Sequence, residues 1–211
     1  VVLTTGTFLN GLIHIGEEKS SGGRINELPS TKLAEKLKSL DLPMARLKTG
    51  TPPRLDKDTI DWSKLEREDG DINPQPFSSL GPGILKEQVP CYVTWTNSST
   101  HKIIREAINQ SPIYNGSISS RGPRYCPSIE DKVNRFFERD RHRVVLEPEG
   151  LNTNIIYPNG ISTSLPGPIQ KKFIKSMKGL ENAKIIQLGY AIEYDHIDPR
   201  SLKHSLEMKN I

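Results

Sequence analysis

Residues 143–178 read RVVLEPEGLNTNIIYPNGISTSLPGPIQKKFIKSMK, and this stretch decides the fold class. Three short runs in it are rich in β-branched and aromatic residues and predict strands: 143–147, 154–157 and 161–165. Asn159-Gly160, a strong hairpin signal, separates the last two runs. Residues 166–178 predict a helix that begins at a proline and ends before Gly179. Its apolar face consists of Ile169, Phe173, Ile174 and Met177.

The same alternation of strands and helices continues on both sides of this stretch. Further strands are predicted at 1–5, 12–15, 44–48 and 91–96, with one or two more at 183–194. Further helices are predicted at 30–40, 99–109 and 127–139, with a shorter one at 62–68. Polar, glycine-bearing or proline-bearing loops are predicted at 17–24, 49–54 and 70–88. Because the order lacks a regular strand–helix–strand rhythm, we predict an α+β fold in which helices cover a mixed or antiparallel sheet.

Each predicted helix carries apolar side chains on one face, which is expected to be buried. The three faces are Leu33, Leu37 and Leu40 in the first helix, Ile103, Ile104, Ala107 and Ile108 in the second, and Ile129, Val133, Phe136 and Phe137 in the third. Such a chain has enough apolar residues to form a core, so disorder is not expected.

Composition excludes several classes of protein. The 211 residues contain no apolar run of membrane-spanning length and no secretory signal, so we expect a cytoplasmic protein without a membrane association. The net charge of +4 is compatible with a polyanionic partner without requiring one. Two cysteines are too few for a disulfide framework. The chain opens in an apolar run without an initiator methionine, so we expect it to be an internal part of a longer protein.

The densest group of chemically active residues is Arg121-Gly-Pro-Arg-Tyr-Cys-Pro-Ser-Ile-Glu-Asp-Lys132. Pro127 suits the first position of a helix, and Ser128 with Asp131 forms a variant of a capping box, so Cys126 lies at or just before a helix N-terminus. The helix dipole and the nearby arginines favour a thiolate there, which indicates a reactive cysteine, although a structural thiol is the alternative. Cys91 has no such neighbours and is interpreted as structural.

Basic residues concentrate in two places. One group is Arg46, Lys48 and Arg54; the other is Lys132, Arg135, Arg139, Arg141, His142 and Arg143. In the second group, Lys132, Arg135 and Arg139 share one helical face and could contact phosphates, or could form an ordinary solvated face. The sequence contains no G-x-G-x-x-G dinucleotide fingerprint and no G-x-S-x-G nucleophile elbow. It also lacks the paired histidines of a zinc site, so no metal is expected.

Several segments resemble the MnmG (GidA) family, in the family's order and over essentially the whole chain. They are residues 5–11, 21–24, 46–54, 89–92, 122–132, 146–150, 157–166 and 189–195. The resemblance implies a glutathione-reductase-like FAD enzyme that works with the GTPase MnmE. These enzymes add an aminomethyl or carboxymethylaminomethyl group to C5 of the wobble uridine of tRNA, with methylenetetrahydrofolate as one-carbon donor and NADH as reductant. A homodimer is implied for the full-length protein.

The resemblance also implies roles for individual residues. Cys126 matches one of the family's two candidate catalytic cysteines. The family's nicotinamide-nucleotide stretch maps onto Gly122, Pro123, Arg124, Tyr125, Cys126, Pro127, Ser128, Ile129, Glu130, Asp131, Lys132, Val133, Asn134, Arg135 and Phe136. Thr5 and Gly6 match the end of an FAD-domain strand.

The resemblance further implies three parts of the chain. Residues 1–11 would end a strand of the FAD-binding, Rossmann-like domain, 12–195 would form the inserted substrate-side α+β domain, and 196–211 would return toward the FAD domain. Such a piece is expected to be inactive alone, because the flavin fingerprint is missing from it. The alternatives are a related folate- and FAD-dependent tRNA uracil methyltransferase and a non-catalytic RNA-binding module.

Overall fold

The computed structural model describes residues 1–81, 83, 88–122 and 127–209, and within them ten strands form two antiparallel sheets. The strands are β1 (Leu12–Ile15), β2 (Glu18–Ser21), β3 (Met44–Thr51), β4 (Arg54–Asp56), β5 (Glu66–Glu68), β6 (Cys91–Trp95), β7 (Arg143–Pro148), β8 (Ile155–Asn159), β9 (Ile185–Gln187) and β10 (Tyr190–Ile197). The helices are α1 (Thr31–Lys38), α2 (Ser98–Glu106), α3 (Ile129–Arg135) and α4 (Gly167–Lys175). The predicted α+β class is confirmed.

The smaller sheet has the strand order β2-β1-β10-β3 and joins residues that are distant in sequence. Strand β10 pairs with β1 on one side, where Ile13 lies opposite Ile192. On its other side β10 pairs with β3 along all eight residues, from Tyr190 opposite Thr51 to Ile197 opposite Met44. Strand β3 therefore runs through the predicted break at 49–51 and ends only before Pro52-Pro53, where a proline offers no backbone N–H to the ladder.

The larger sheet has the order β5-β6-β7-β8-β4-β9, and most of the apolar core lies against it. Helices α2 and α4 pack on each other and contribute Ile104, Phe173 and Ile174, which are fully buried. Residues of the sheet itself, such as Leu55 and Leu146, complete the cluster. Each such side chain contributes roughly 1.5–3 kcal/mol by leaving water. The predicted apolar face of the 166–178 helix is therefore largely correct.

Three predicted helices differ from the structure in extent or in buried face. Helix α1 buries Ala34 and Leu37, whereas Leu33 and Leu40 are exposed, so the predicted leucine face was correct at Leu37 and wrong at the other two positions. Helix α3 ends at Arg135 because Phe136 leaves helical geometry, with φ −115° and ψ 53°, and Phe136 and Phe137 are exposed rather than buried. The predicted helix at 62–68 is a short 3-10 turn followed by β5.

Three predictions of strands and loops were also wrong. Residues 1–5 form no strand and residues 1–4 are exposed, while the predicted loop at 17–24 contains β2. Residues 161–165 are buried but irregular, since their backbone contacts other segments instead of forming a hairpin. Thr163 N donates to Thr51 O at 3.5 Å, and Ser162 O accepts from Ile129 N at 2.8 Å. Strand β8 consequently pairs with β7 and β4.

No helix in the described part of the chain is both long enough and apolar enough to cross a membrane. The predicted domain boundaries after residues 11 and 195 stay predictions. The chain pairs across both of them: Asp195 N donates to Leu9 O at 2.7 Å, and β10 continues to Ile197.

Candidate functional site

The candidate site surrounds residues 121–132, whose two ends are fixed to different parts of the fold. Pro123, Arg124, Tyr125 and Cys126 lie outside the described residues, so the site is defined by the residues that flank them. On the N-terminal side, Lys48 N of β3 donates to Arg121 O at 3.0 Å. On the C-terminal side, Ile129 N donates to Ser162 O at 2.8 Å. The described residues before and after Cys126 are therefore bonded to β3 and to the segment 161–165, respectively.

A buried carboxylate on β10 holds the N-terminal end more firmly. Ser120 Oγ donates to Glu193 Oε1 at 2.6 Å, and His14 Nε2 lies 3.0 Å from Glu193 Oε2. Burial lowers the pKa of His14, although Glu193 opposes this shift. A neutral ring can bind the carboxylate only by donating from Nε2, which assigns the tautomer. Strands β1 and β10 of the smaller sheet thus position the residue that precedes Arg121.

A capping box starts α3. Ser128 Oγ accepts from Asp131 N at 3.2 Å, and Asp131 Oδ2 accepts from Ser128 N at 3.2 Å. This confirms the predicted Ser128–Asp131 pair and makes Ile129, rather than Pro127, the first helical residue. Asp131 also accepts from Tyr114 Oη at 3.1 Å and lies 3.7 Å from Lys48 Nζ. The carboxylate therefore ties the helix start to β3.

Glu130 is fully buried and organises the irregular segment 161–165. Its Oε1 accepts from Thr163 Oγ1 and from Ser164 N, both at 3.0 Å, with longer contacts to the hydroxyls of Ser111 and Ser164 at 3.4 Å. Burial raises the pKa of Glu130, and these hydrogen bonds oppose that rise. The side chain is fully buried and holds the segment 161–165 against the start of α3.

The described residues of the predicted nicotinamide stretch divide into two groups. Ser128, Ile129, Glu130, Asp131 and Val133 are buried. Gly122 and Lys132 are partly exposed, and Pro127, Asn134, Arg135 and Phe136 are exposed. A ligand could meet only the second group directly, with the first group acting as support. The dinucleotide assignment stays a prediction.

The basic stripe predicted on α3 does not exist as a single face. Lys132 Nζ donates to Gly160 O at 2.8 Å, and Arg135 lies 3.4 Å from Asp131 on its own helix. Arg139 lies beyond the end of α3, because the helix stops four residues earlier. The i, i+3, i+7 argument failed since it assumed a helix that continued to residue 139.

The other predicted basic group also divides into separate ion pairs. Arg46 bonds the buried Asp195 at 2.7 Å, while Lys48 faces Asp131. Arg54 pairs with Glu149 and lies 4.4 Å above the ring of Tyr157. Only Lys48 belongs to the candidate site, and its side chain is 12% exposed.

Cys91 lies on β6 and is partly buried. Burial raises the pKa of its thiol, and the carboxylates of Glu147 and Glu68 add to that rise. The protonated form is therefore favoured, which agrees with a structural interpretation.

Thr5 and Gly6, predicted at a flavin site, lie in a turn in the described structure. Gly6 has φ +52°, and no atom lies within 4 Å of the position that a Cβ would occupy. A ligand could approach the backbone there closely, but two residues form at most one edge of a site.

Sequence reasoning missed His14, Ser120 and Glu193. Glu193 lies within the family-like segment 189–195, but no catalytic or binding motif singled out any of the three. The pairing of β1 with β10 brings His14 to Glu193, and a side-chain hydrogen bond brings Ser120 to the same carboxylate. Within the described ranges, no group of three or more histidine, cysteine, aspartate or glutamate side chains could hold a metal ion.

Comparison with known proteins gives consistent relatives. A family model described as "Glucose inhibited division protein A" matches residues 1–211. A protein of Zymomonas mobilis subsp. mobilis named "tRNA uridine 5-carboxymethylaminomethyl modification enzyme MnmG" is 58% identical over 209 residues, which cover 99% of this chain and 34% of that protein. A protein of the same name from Aliarcobacter butzleri is 56% identical over 213 residues, covering 100% and 34%.

Solved structures of Aquifex aeolicus GidA share the fold. The form I crystal gives a TM-score of 0.90 at 49% identity, with 99% of this chain and 36% of that chain covered. The form II crystal gives 0.87 at 47% identity, with 98% and 34% covered. This chain therefore spans about a third of the length of the relatives that it matches.

Proposed function

Because this chain belongs to the glucose inhibited division protein A family, we propose that it forms part of an enzyme that modifies C5 of the wobble uridine in tRNA. The group added would be aminomethyl or carboxymethylaminomethyl, and the GTPase MnmE would be the partner. The observation that carries the proposal is the unbroken similarity to curated tRNA-modifying enzymes, at 54–58% identity over 99–100% of the chain.

In this proposal Cys126 is the catalytic residue. The described residues on both sides of it are held by the fold. Glu193 and Lys48 fix residues 120–121, while the Ser128–Asp131 box and Ile129 fix the start of α3. Arg121, five residues before Cys126 in the sequence, would favour a thiolate.

The proposed cofactors are FAD, NADH and methylenetetrahydrofolate. The open turn at Gly6 fits close approach by one edge of a flavin, and the exposed Asn134, Arg135 and Phe136 fit the surface of a dinucleotide site. When bound, the flavin would supply the redox chemistry, with NADH as its reductant. Most of any flavin site must come from residues other than those of this chain. A homodimer and a cytoplasmic location stay predictions.

A chimera tests the function of this chain. Residues 1–211 would replace the matching segment of the Zymomonas mobilis relative, and the chimera would be expressed in a strain that lacks its own enzyme. Mass spectrometry of tRNA nucleosides is expected to show the modified wobble uridine. Cys126→Ser should abolish the modification, whereas the matched control Cys91→Ser should retain it.

The outcomes separate the candidate functions. An active chimera that survives Cys126→Ser would remove this thiol from the reaction. Appearance of 5-methyluridine in place of the wobble modification would identify a tRNA uracil methyltransferase. A well-folded, tRNA-binding chimera that makes neither product would favour a non-catalytic RNA-binding role.

A further inference from the structure

The six residues that follow α3, numbers 136–141, form an exposed loop that is fixed at both ends. Phe136 N donates to Lys132 O and Arg139 N donates to Phe136 O, both at 3.0 Å, so the chain turns tightly on leaving the helix. At the other end, the backbone N–H of Thr96, which directly follows β6, donates to His142 O at 3.0 Å. Within this loop Phe137 is 75% exposed and Phe136 is 42% exposed.

Two arginines of the loop lie on aromatic rings instead of on carboxylates. The Arg141 guanidinium is 4.3 Å from the centre of the Trp95 ring, and Arg139 is 5.4 Å from that of Phe136. Within the described residues neither has a salt bridge, whereas the neighbouring Arg143 is bonded to Glu68 at 2.6 Å. A guanidinium that contacts a ring instead of a carboxylate keeps N–H donors available, and less side-chain entropy is lost when it binds.

These features match the chemistry of unpaired nucleotides. An exposed phenylalanine and ring-held arginines offer planes on which bases stack, and the N–H edges can donate to phosphates. Glu138 and Asp140 are exposed in the same loop, so its charge is nearly balanced. Binding that depended on charge alone would therefore be weak, and stacking must supply most of it.

We propose that the loop of residues 136–141 stacks unpaired nucleotides of the tRNA substrate. This rests on the proposed function. Helix α3 has seven residues and so rises roughly 10 Å at 1.5 Å per residue. The loop follows the last residue of this helix, and the capping residue Ser128 of the candidate site precedes its first. A base held on Phe137 is thus about one helix length from the described start of the candidate site.

The test measures binding of this chain to a fluorescein-labelled anticodon stem-loop RNA by anisotropy, with a blunt RNA duplex of equal length as comparison. The stem-loop is expected to bind more tightly than the duplex. Phe137→Ala should weaken binding of the stem-loop about tenfold, within the range that one base–aromatic stack contributes. Phe77→Ala, which removes an even more exposed phenylalanine elsewhere, should leave binding unchanged.

The salt dependence tests the arginines separately. With two phosphate contacts, log K is expected to fall against log salt with a slope of about −1.4. Arg141→Ala should reduce that slope by about half, while the control Arg24→Ala, at an arginine 66% exposed and paired with Glu27, should not change it.

Each other result overturns the inference. Equal affinity of Phe137→Ala and the unaltered chain would show that the loop does not stack bases, even if the chimera remains active. Absence of RNA binding by the folded chain at low salt would do the same. Concentration-dependent dimerisation that Phe137→Ala abolishes, without an effect on RNA, would assign the loop to contact between two copies. The proposed function itself fails only if the chimera does not make the modified wobble uridine.

Discussion

Glu130 allows the sharpest test of how the site is supported, because its two substitutions should differ strongly. Glu130→Ala removes the acceptor of Thr163 Oγ1 and Ser164 N and leaves both donors buried. The hydroxyls of Ser111 and Ser164 still form a hydrogen bond with each other at 3.1 Å, so they add no unsatisfied donor. Each unsatisfied donor lowers the free energy of unfolding by roughly 1–3 kcal/mol. Removing the carboxyl group, whose burial is itself unfavourable, offsets part of this, so we expect the free energy of unfolding to fall by about 3 kcal/mol.

Glu130→Gln keeps an oxygen that can accept both bonds, so its stability at pH 7 should lie within about 1 kcal/mol of the unaltered chain. For a chain of this length, about 1 kcal/mol shifts Tm by roughly 2–4 °C. Thermal unfolding followed by circular dichroism should therefore show Glu130→Ala melting about 6–12 °C lower and Glu130→Gln nearly unchanged.

The pH dependence of the same pair gives an independent check. Burial raises the folded-state pKa of Glu130 above the ordinary glutamate value of 4.5, so the folded state holds this proton more tightly than the unfolded state. That contribution is complete below pH 4.5 and is lost as pH rises through the folded pKa. Glu130→Gln has no titrating group at this position and therefore lacks this pH-dependent contribution. The stability of Glu130→Gln should improve relative to that of the unaltered chain as pH rises from 4.5. A constant difference between the two, or equal destabilisation by Ala and Gln, would refute this account of Glu130.

Two further predictions concern the backbone and the buried histidines. Gly160→Ala should lower the free energy of unfolding by about 2–3 kcal/mol, because φ is +103° and a Cβ would lie 2.7 Å from Arg143 O. The control Gly116→Ala should lower it less, because φ is +83° there but the space around the Cβ is open. Equal urea midpoints for the two variants would contradict the proposed clash. Burial lowers the pKa of His142 to about 4, and the neighbouring His101 acts in the same direction. The unfolded state therefore binds a proton at His142 more readily than the folded state does. Stability from the neutral His142 ring is present above pH 6.5 and is lost as pH falls toward 4. Urea unfolding of His142→Leu should lose less stability across that window than the unaltered chain, while the exposed His204→Leu should follow the unaltered chain; parallel curves for all three would exclude His142 as the cause.

Local patterns were sufficient where neighbouring residues decide the structure. The helix at 166–178, strand β6 and the Ser128–Asp131 box were predictable, because apolar periodicity and capping act within a few residues. The family was likewise visible, since its motifs occur along the entire chain. The order of Arg121, Cys126 and Ser128 marked the site before its surroundings were known.

Only the tertiary structure decided how that site is held and which charges remain available. His14 and Glu193 meet because β1 and β10, which are far apart in sequence, pair in one sheet, and Ser120 donates to Glu193 from outside these strands. Lys132 and Arg135 looked like free cations in sequence but are bonded to Gly160 and Asp131. The 161–165 run looked like a strand, yet Glu130 and the backbones of β3 and α3 compete for its hydrogen bonds. Sequence periodicity reports which residues prefer to be buried, but the partner of each polar group depends on contacts between distant segments.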